Sequence, residues 1–268
     1  VVSRFITSLS NPWVKYARSL HNRRARYRER AFLVEGPRAI ADALAAGVTP
    51  TLLFIAPERA GHEYDELADV ARTRNAEVLL VSERVFDQIT DTVTPQGIAA
   101  IFRFPDLAPA LRPGEPPLLL LVDGIQDPGN LGTLLRSALG AGAHAVYLAP
   151  GTTDAFAPKV VRAAAGSHFR LPIRHLQWNA PDELLASCTQ RLGANPHAGS
   201  PYDEVDWTEP SVLLIGSEAH GLSQAAGAMV TEYVTIPLHG RLESLNAGVA
   251  GSVILFEAAR QRRAIARR

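Results

Sequence analysis

The chain has 268 residues, 47% of them apolar and 20% charged, with 27 cations balanced by 27 carboxylates. That length fits one large domain or two of ordinary size with a real core, and zero net charge excludes a disordered polyelectrolyte or a uniformly basic nucleic-acid coat. One cysteine, Cys188, excludes an internal disulfide and a cysteine-based zinc site. No apolar run approaches the ~18 residues needed to span a bilayer, and residues 1–20 hold no uninterrupted apolar core of signal-peptide type. A cytoplasmic protein is expected.

In chain order, the first feature is charge. Residues 1–30 carry eight basic side chains and one acid, Glu29, and residues 260–268 carry five arginines and no acid. Arg23, Arg24, Arg26, Arg28 and Arg30 set five cations in eight residues beside Tyr27, after Trp13 and Tyr16. Aromatics among cations suit an RNA-facing surface; the same run also fits a solvated helix face. Next, Arg38–Ala46 reads as a helix ending at Gly47, Thr51–Ile55 as a buried strand, and Tyr64–Arg74 as a helix. Glu77–Val81 reads as a strand, Arg84–Gln88 as a short helix and Gly97–Phe102 as another strand. Alternation of this kind predicts a small α/β sandwich. It contains no cluster of catalytic side chains, so binding is its expected role.

Phe104 to Pro117 holds five prolines in fourteen residues and predicts an extended linker between about 103 and about 151 residues. Beyond it, Leu118–Val122 is a continuous apolar run, as in a strand covered on both faces. Leu131–Leu139 reads as a helix, Ala145–Leu148 as a strand, Lys159–Ala165 as a helix, Phe169–Ile173 as a strand and Asp182–Arg191 as a helix. Val212–Ile215 and Tyr233–Ile236 read as strands, and Ser244–Arg263 as a long helix whose Leu245, Val249, Val253 and Phe256 share one face. The expected fold class is α/β: a small N-terminal sandwich, residues 1–103, the linker, residues 104–117, and a C-terminal mostly parallel sheet, residues 118–268. Such sheets bind ligands beyond the carboxyl ends of their strands.

Three loops of unusual composition follow three of these strands. Asp123–Arg136 is glycine- and proline-rich; Asn130 stands where its side chain is able to cap a helix, and Arg136 lies inside that helix. It matches neither a Walker A loop nor G-x-G-x-x-G. In Leu214–Leu222, glycine at a strand end admits close backbone approach, and Ser217 or Glu218 either caps the next helix or orients a polar group. In Ile236–Asn246, Pro237 stops the strand, while Ser244 and Asn246 open the long helix as caps, or Asn246 reaches across to a ligand.

Together these loops resemble the three signature motifs of the SpoU-type 2′-O-ribose RNA methyltransferases of the SPOUT superfamily. The first motif is carried by Asn130, Gly132 and Arg136, and the second by Gly216, Glu218 and Gly221. The third runs Ile236, Pro237, Leu238, then Ser244, Leu245 and Asn246, with Leu238 where methionine is usual. The N-terminal part resembles the family's ribosomal-protein-like substrate-binding domain through Asn11-Pro12, residues 32–36 (FLVEG) and Pro95-Gln96-Gly97. The resemblance implies a deep trefoil knot near the C-terminus, S-adenosylmethionine bound in it, and a homodimer with the site at the interface. It places Gly216, Ile236, Leu238, Leu245 and Asn246 at the cofactor, and makes Arg136 catalytic with Asn130, Glu218, Ser244 and Asn246 orienting it and the nucleotide. RNA, most readily large-subunit ribosomal RNA, is the implied substrate, and the local charge excess makes Arg23, Arg24, Arg26, Arg28 and Arg30 its expected contacts.

A ribose hydroxyl is a poor nucleophile and must lose its proton as it attacks a sulfonium methyl, so the enzyme must align oxygen with methyl and provide a proton acceptor. A guanidinium with a pKa above ~12 is a poor base, and clamping a phosphate is the easier role for Arg136. No metal is expected: the eight histidines are scattered, and His220 and His239, though inside motifs, are not signature residues. The alternatives are a transfer-RNA 2′-O-methyltransferase, which the separate N-terminal domain disfavours, and a catalytically silent RNA-binding protein, which the intact Asn130, Arg136, Glu218 and Asn246 disfavour. A nicotinamide-dependent oxidoreductase would need a dinucleotide fingerprint that the sequence lacks.

Overall fold

The computed structural model describes residues 5–59, 61, 64–180, 182–240 and 242–266. Contacts divide the chain into two compact units, residues 1–105 with 156–169, and residues 106–155 with 170–268.

The first unit is a five-stranded sheet, ordered β1-β4-β3-β5-β2, with helices on it. The strands are β1 (Phe5–Ile6), β2 (Ala31–Glu35), β3 (Leu52–Ile55), β4 (Glu77–Val81) and β5 (Ile98–Arg103). β5 pairs antiparallel with β2 and β3, while β4 pairs parallel with β1 and β3. Period-two alternation splits the strand residues between two faces. Ala31, Leu33, Phe54, Ala99 and Ile101 join one buried cluster with Val14, Ala17 and Leu20 of the N-terminal helix and Val85, Phe86 and Ile89 further on. Those belong to α1 (Pro12–Ser19) with its C-cap, and to α5 (Glu83–Ile89). α1 starts because Asn11 accepts the amide hydrogen of Trp13 at 2.9 Å and Pro12 fills a first-turn position that has no amide partner. Between them lie α2 (Arg23–Glu29), α3 (Pro37–Ala45) and α4 (Asp65–Thr73). β1, α1 and β2 were not expected from the pattern, and α2 only as the helix-face reading of the arginine run; the helix caps, Asn11 and Asn22, stand in a stretch dominated by charge.

The other face holds an aromatic cluster completed by residues from beyond the proline-rich stretch. Phe32 lies 5.1 Å from Phe156 and 5.8 Å from Phe169, and Phe104 stacks on Phe156 at 3.8 Å. The contributing segment is α7 (Pro158–Ala164) and a 3-10 turn, Ser167–Phe169. The expected strand at 169–173 is therefore wrong: Phe169 is drawn into this cluster, and the strand β8 is Ile173–His175.

The second unit is a seven-stranded, wholly parallel sheet ordered β10-β12-β9-β11-β6-β7-β8. β6 (Leu118–Val122) and β11 (Ser211–Ile215) lie at its centre with every residue buried, which explains their unbroken apolar sequence. β7 is Ala145–Leu148, β9 Gln190–Ala194, β10 Ser200–Pro201 and β12 Glu232–Thr235. The helix expected over 182–191 stops early. α8 covers only Glu183–Ser187, and Gln190–Ala194 becomes β9, paired on both sides by β11 and β12. Tertiary pairing overrides local propensity there.

α6 (Pro128–Ala141) and α10 (Ala247–Ala266) pack together on one face of this sheet. The face that carries Leu245, Val249, Val253 and Phe256 is not the buried one. Val249 and Phe256 are each 47% exposed, whereas Gly251, Ile254, Leu255, Ala258 and Ala259 turn inward. Arg262 fixes the far end of α10, donating to the carbonyls of Trp207 at 2.7 Å, Glu209 at 2.8 Å and Pro117 at 3.1 Å. Arg260 pairs with Glu257, so two of the five C-terminal arginines serve the helix itself; Arg267 and Arg268 lie outside the described residues. The linker residues 106–116 form no helix or strand.

Cys188 is fully buried beneath the sheet, and burial pushes its thiol up to about 11. An uncharged thiol reagent at about pH 8 should label it far more slowly in the native protein than in denaturant. Equal labelling rates would place Cys188 at the surface.

Candidate active site

The second unit's strands run parallel, so the loops after β6, β11 and β12 leave at one edge. After β6 the chain passes Asp123 and enters α6. Asp127, not Asn130, caps this helix: its Oδ1 accepts the amide hydrogen of Asn130 at 2.8 Å, with Pro128 in the first turn. Asn130 therefore sits inside the first turn with its side chain free for other partners. Its Nδ2 donates to the Glu218 carboxylate, and its Oδ1 accepts from Asn246 Nδ2 at 2.8 Å.

Asn246 does two things at once. Its Oδ1 accepts the amide hydrogen of Val249 at 3.2 Å, capping α10, while Nδ2 reaches Asn130. Ser244 lies outside the helix, which starts at Ala247. The result is a chain Asn246–Asn130–Glu218 joining all three loops. The directions follow from chemistry: a carboxylate only accepts, so Asn130 must present its NH2 to Glu218 and its oxygen to Asn246.

The loop after β11 closes on itself. Ser217 and Gly221 exchange backbone hydrogen bonds of 3.0 and 2.8 Å, so neither Ser217 nor Glu218 caps α9 (Gln224–Gly227); Ser223 does. Gly216 is required here because a Cβ would fall inside the peptide joining Gly221 and Leu222. Asp123, 3% exposed, accepts the amide hydrogen of Ser223 at 2.6 Å and ties this loop to the β6 loop. Asp123 and Asp127 were missed as site-building residues. The Asp-Pro pair at 127–128 was a readable signal, because proline favours the position after a cap.

Leu242 is 57% exposed, and Ile236, Leu238 and Leu245 are half-buried. Among the described residues, segment 236–245 makes no backbone hydrogen bond to the rest of the chain. Free peptide groups beside apolar side chains suit a flat heterocycle recognised through the backbone. Arg136 stands on the third turn of α6, exposed. His220 and His239 are exposed. Among the described residues no group of three His, Cys, Asp or Glu could hold a metal ion.

In the first unit, Arg23, Arg24, Arg28 and Arg30 are exposed, Arg23 lying 5.4 Å over the ring of Tyr27. Arg28 shares a surface pair with Glu29 at 2.8 Å. Arg26 departs from the expectation. It is 3% exposed and donates to the carbonyls of Leu20 at 2.7 Å and His21 at 2.8 Å, so its guanidinium ties the α1–α2 turn instead of meeting RNA.

Both units of the chain resemble known proteins. Residues 117–256 match the SpoU rRNA Methylase family, and residues 11–100 match the MRM3-like substrate binding domain. The 23S rRNA (guanosine(2553)-2′-O)-methyltransferase RlmP of Bacillus subtilis is 35% identical over 257 residues, 94% of this chain and 97% of that protein. The mitochondrial rRNA methyltransferase 3 of Homo sapiens is 34% identical, over 89% of this chain and 69% of its own. The AdoMet-bound rRNA methyltransferase from Sinorhizobium meliloti superposes with a TM-score of 0.82 at 34% identity, covering 96% of this chain and 98% of that one. The SpoU methyltransferase AviRb from Streptomyces viridochromogenes, also with AdoMet, gives 0.79 at 31% identity, covering 95% of this chain and 100% of that one.

The closed loop makes a graded prediction. Gly216→Ala should destabilise the protein by about 2–4 kcal/mol, because backbone must move. Gly221→Ala, with φ +66° but open space around it, should cost only about 1 kcal/mol of left-handed strain. Denaturant titration of both variants checks the order, and equal losses would contradict the loop geometry.

Proposed function

The chain belongs to the SpoU rRNA methylase family, and on that premise we propose that it transfers a methyl group from S-adenosylmethionine to a ribose 2′-oxygen of ribosomal RNA, most readily of the large subunit. The observation that carries this reading is the Asn246–Asn130–Glu218 chain, which gathers the three motif loops at one sheet edge. The rRNA methyltransferases among its relatives and the match of residues 11–100 to a substrate-binding domain favour ribosomal over transfer RNA.

Gly216, Ile236, Leu238, Leu245 and Asn246 are the residues that would hold the cofactor, through the free backbone groups and half-buried side chains described above. When bound, S-adenosylmethionine supplies an electrophilic methyl on a sulfonium. The protein's task is alignment and proton management. Arg136, a planar fork of five donors that stays charged at neutral pH, clamps the phosphate beside the reacting ribose. Glu218, with one oxygen occupied by Asn130, keeps acceptor capacity for the nucleotide, and Asn246 fixes Asn130 in turn. Ser244, just ahead of the cap, offers a hydroxyl on the same loop.

Residues 1–103 bind RNA, residues 104–117 link, and residues 118–268 catalyse, with the segment 156–169 packed into the RNA-binding unit. Arg23, Arg24, Arg28 and Arg30 meet phosphates; Arg26 does not. A trefoil-knotted path is supported by the backtracking order, in which β11 lies between β9 and β6 and α10 then returns against α6. A homodimer is supported by Val249 and Phe256, apolar and exposed along α10. Among the described residues no helix is long and apolar enough to cross a membrane, and we place the enzyme's work in the cytoplasm.

Arg136→Ala should lower methyl transfer about 100-fold or more while leaving cofactor affinity within a few-fold, since it removes an interaction made in the transition state. Arg136→Lys should fail similarly, because a point charge does not reproduce the fork. Near-normal turnover of either variant on saturating RNA would remove Arg136 from the mechanism. Separately, changing Arg23, Arg24 and Arg28 together to Ala should flatten the salt dependence of RNA binding by about two units in log K against log salt. An unchanged slope, measured by titration at several salt concentrations, would leave α2 as a solvated face.

A further inference from the structure

A groove of about 510 Å3 opens in the first unit between α1 and the end of α5. Lys15 and Arg18, three residues apart on α1 and both exposed, line one wall. Asp87 and Asp91 line the other, yet each is already engaged: Asp87 by Arg59 and Asp91 by Arg162. Among the described residues no carboxylate lies within ion-pair distance of Lys15 or Arg18. The groove thus offers two uncommitted cations beside carboxylates whose charge is compensated.

Its remaining polar groups suit a base edge. His21 Nε2 lies 2.8 Å from the carbonyl oxygen of Ile89. A carbonyl only accepts, so Nε2 carries the proton and Nδ1 of the neutral ring remains an acceptor. Gln88 is exposed and lines the groove, and its amide both donates and accepts. Cations meet phosphate without regard to sequence, whereas a donor–acceptor set reads the edge of an unpaired base.

We propose that this groove seats one unpaired nucleotide of the RNA substrate, with phosphate against Lys15 and Arg18 and the base edge against Gln88 and His21. The inference rests on the reading that the chain modifies RNA, and adds to it a second contact site, distinct in its residues from the arginines of α2.

The test uses the full-length protein and an unmodified large-subunit ribosomal RNA transcript. Lys15→Ala with Arg18→Ala should weaken RNA binding about tenfold. It should also flatten log K against log salt by about 1.4–1.8 units, from two contacts at about 0.7–0.9 each. Thermal stability and S-adenosylmethionine affinity should stay at wild-type values, which shows that the fold survives. Gln88→Ala should keep the salt slope but narrow the affinity differences among single-stranded oligonucleotides of A, C, G and U. If the double variant is folded and keeps both affinity and slope on RNA that the wild type binds and methylates, the groove proposal alone is overturned. If Gln88→Ala leaves base discrimination untouched, the base-reading half is overturned. A wild type that binds no RNA overturns the functional reading and the groove together.

Discussion

The site depends on how closely α10 lies against α6. At Gly248 a Cβ would meet the Asn130 backbone at 3.3 Å, and at Gly251 it would press on Leu134 and Ile215. Helices usually pack with 8–10 Å between their axes, set by the side chains at the contact, and glycine there permits the closer end. Close packing brings Asn246 within one hydrogen bond of Asn130. The Ser137 and Ser252 hydroxyls, 2.7 Å apart, join the same two helices further along. A larger residue at 248 or 251 would widen that gap and separate the third loop from the first. The asparagine–asparagine–glutamate chain is thus a consequence of helix packing as much as of the motif residues themselves.

Arginine works in two distinct ways in this protein. Some guanidiniums satisfy backbone carbonyls where the chain turns: Arg26 at the end of α1, Arg74 at the Leu44 carbonyl, and Arg262 at the start and end of the sheet's loops. Five donors in a rigid fork suit that work, and burial lowers the pKa of Arg262 without discharging it. Others, including Arg23, Arg24 and Arg136, are exposed. Counting cations along the sequence does not separate the two classes, because the difference lies in whether carbonyls converge on the side chain.

What was legible in the sequence follows physical lines. The strands β4, β6 and β7 were read with their true bounds, β6 and β7 because burial on both faces demands unbroken apolar runs. The three motif loops were legible because glycine, proline and asparagine punctuate strand ends. β9 was not, because QRLGA has no apolar run and its pairing with β11 and β12 comes from distant residues. The buried face of α10 was not legible for a related reason. Small residues, Gly251, Ala258 and Ala259, carry the close contact, while the larger Val249 and Phe256 remain outside. Periodicity of large side chains finds a helix but not the face that packs by backbone approach.

The segment 156–169 has a bearing on the order of synthesis. Phe32, Phe102 and Phe104 are made early, but the partners that cover them, Phe156 and Phe169, come 52 and 65 residues after Phe104 in a chain made from its N-terminus. Nascent chains generally fold domain by domain as they are made, at about 5–20 residues per second. Here the first unit cannot close its aromatic face until α7 and the following turn have left the ribosome. By then β6 and β7 of the second unit, residues 118–122 and 145–148, have already been made. The first unit thus completes its aromatic face only after synthesis of the second has begun, and the nascent chain carries an uncovered phenylalanine surface through the interval.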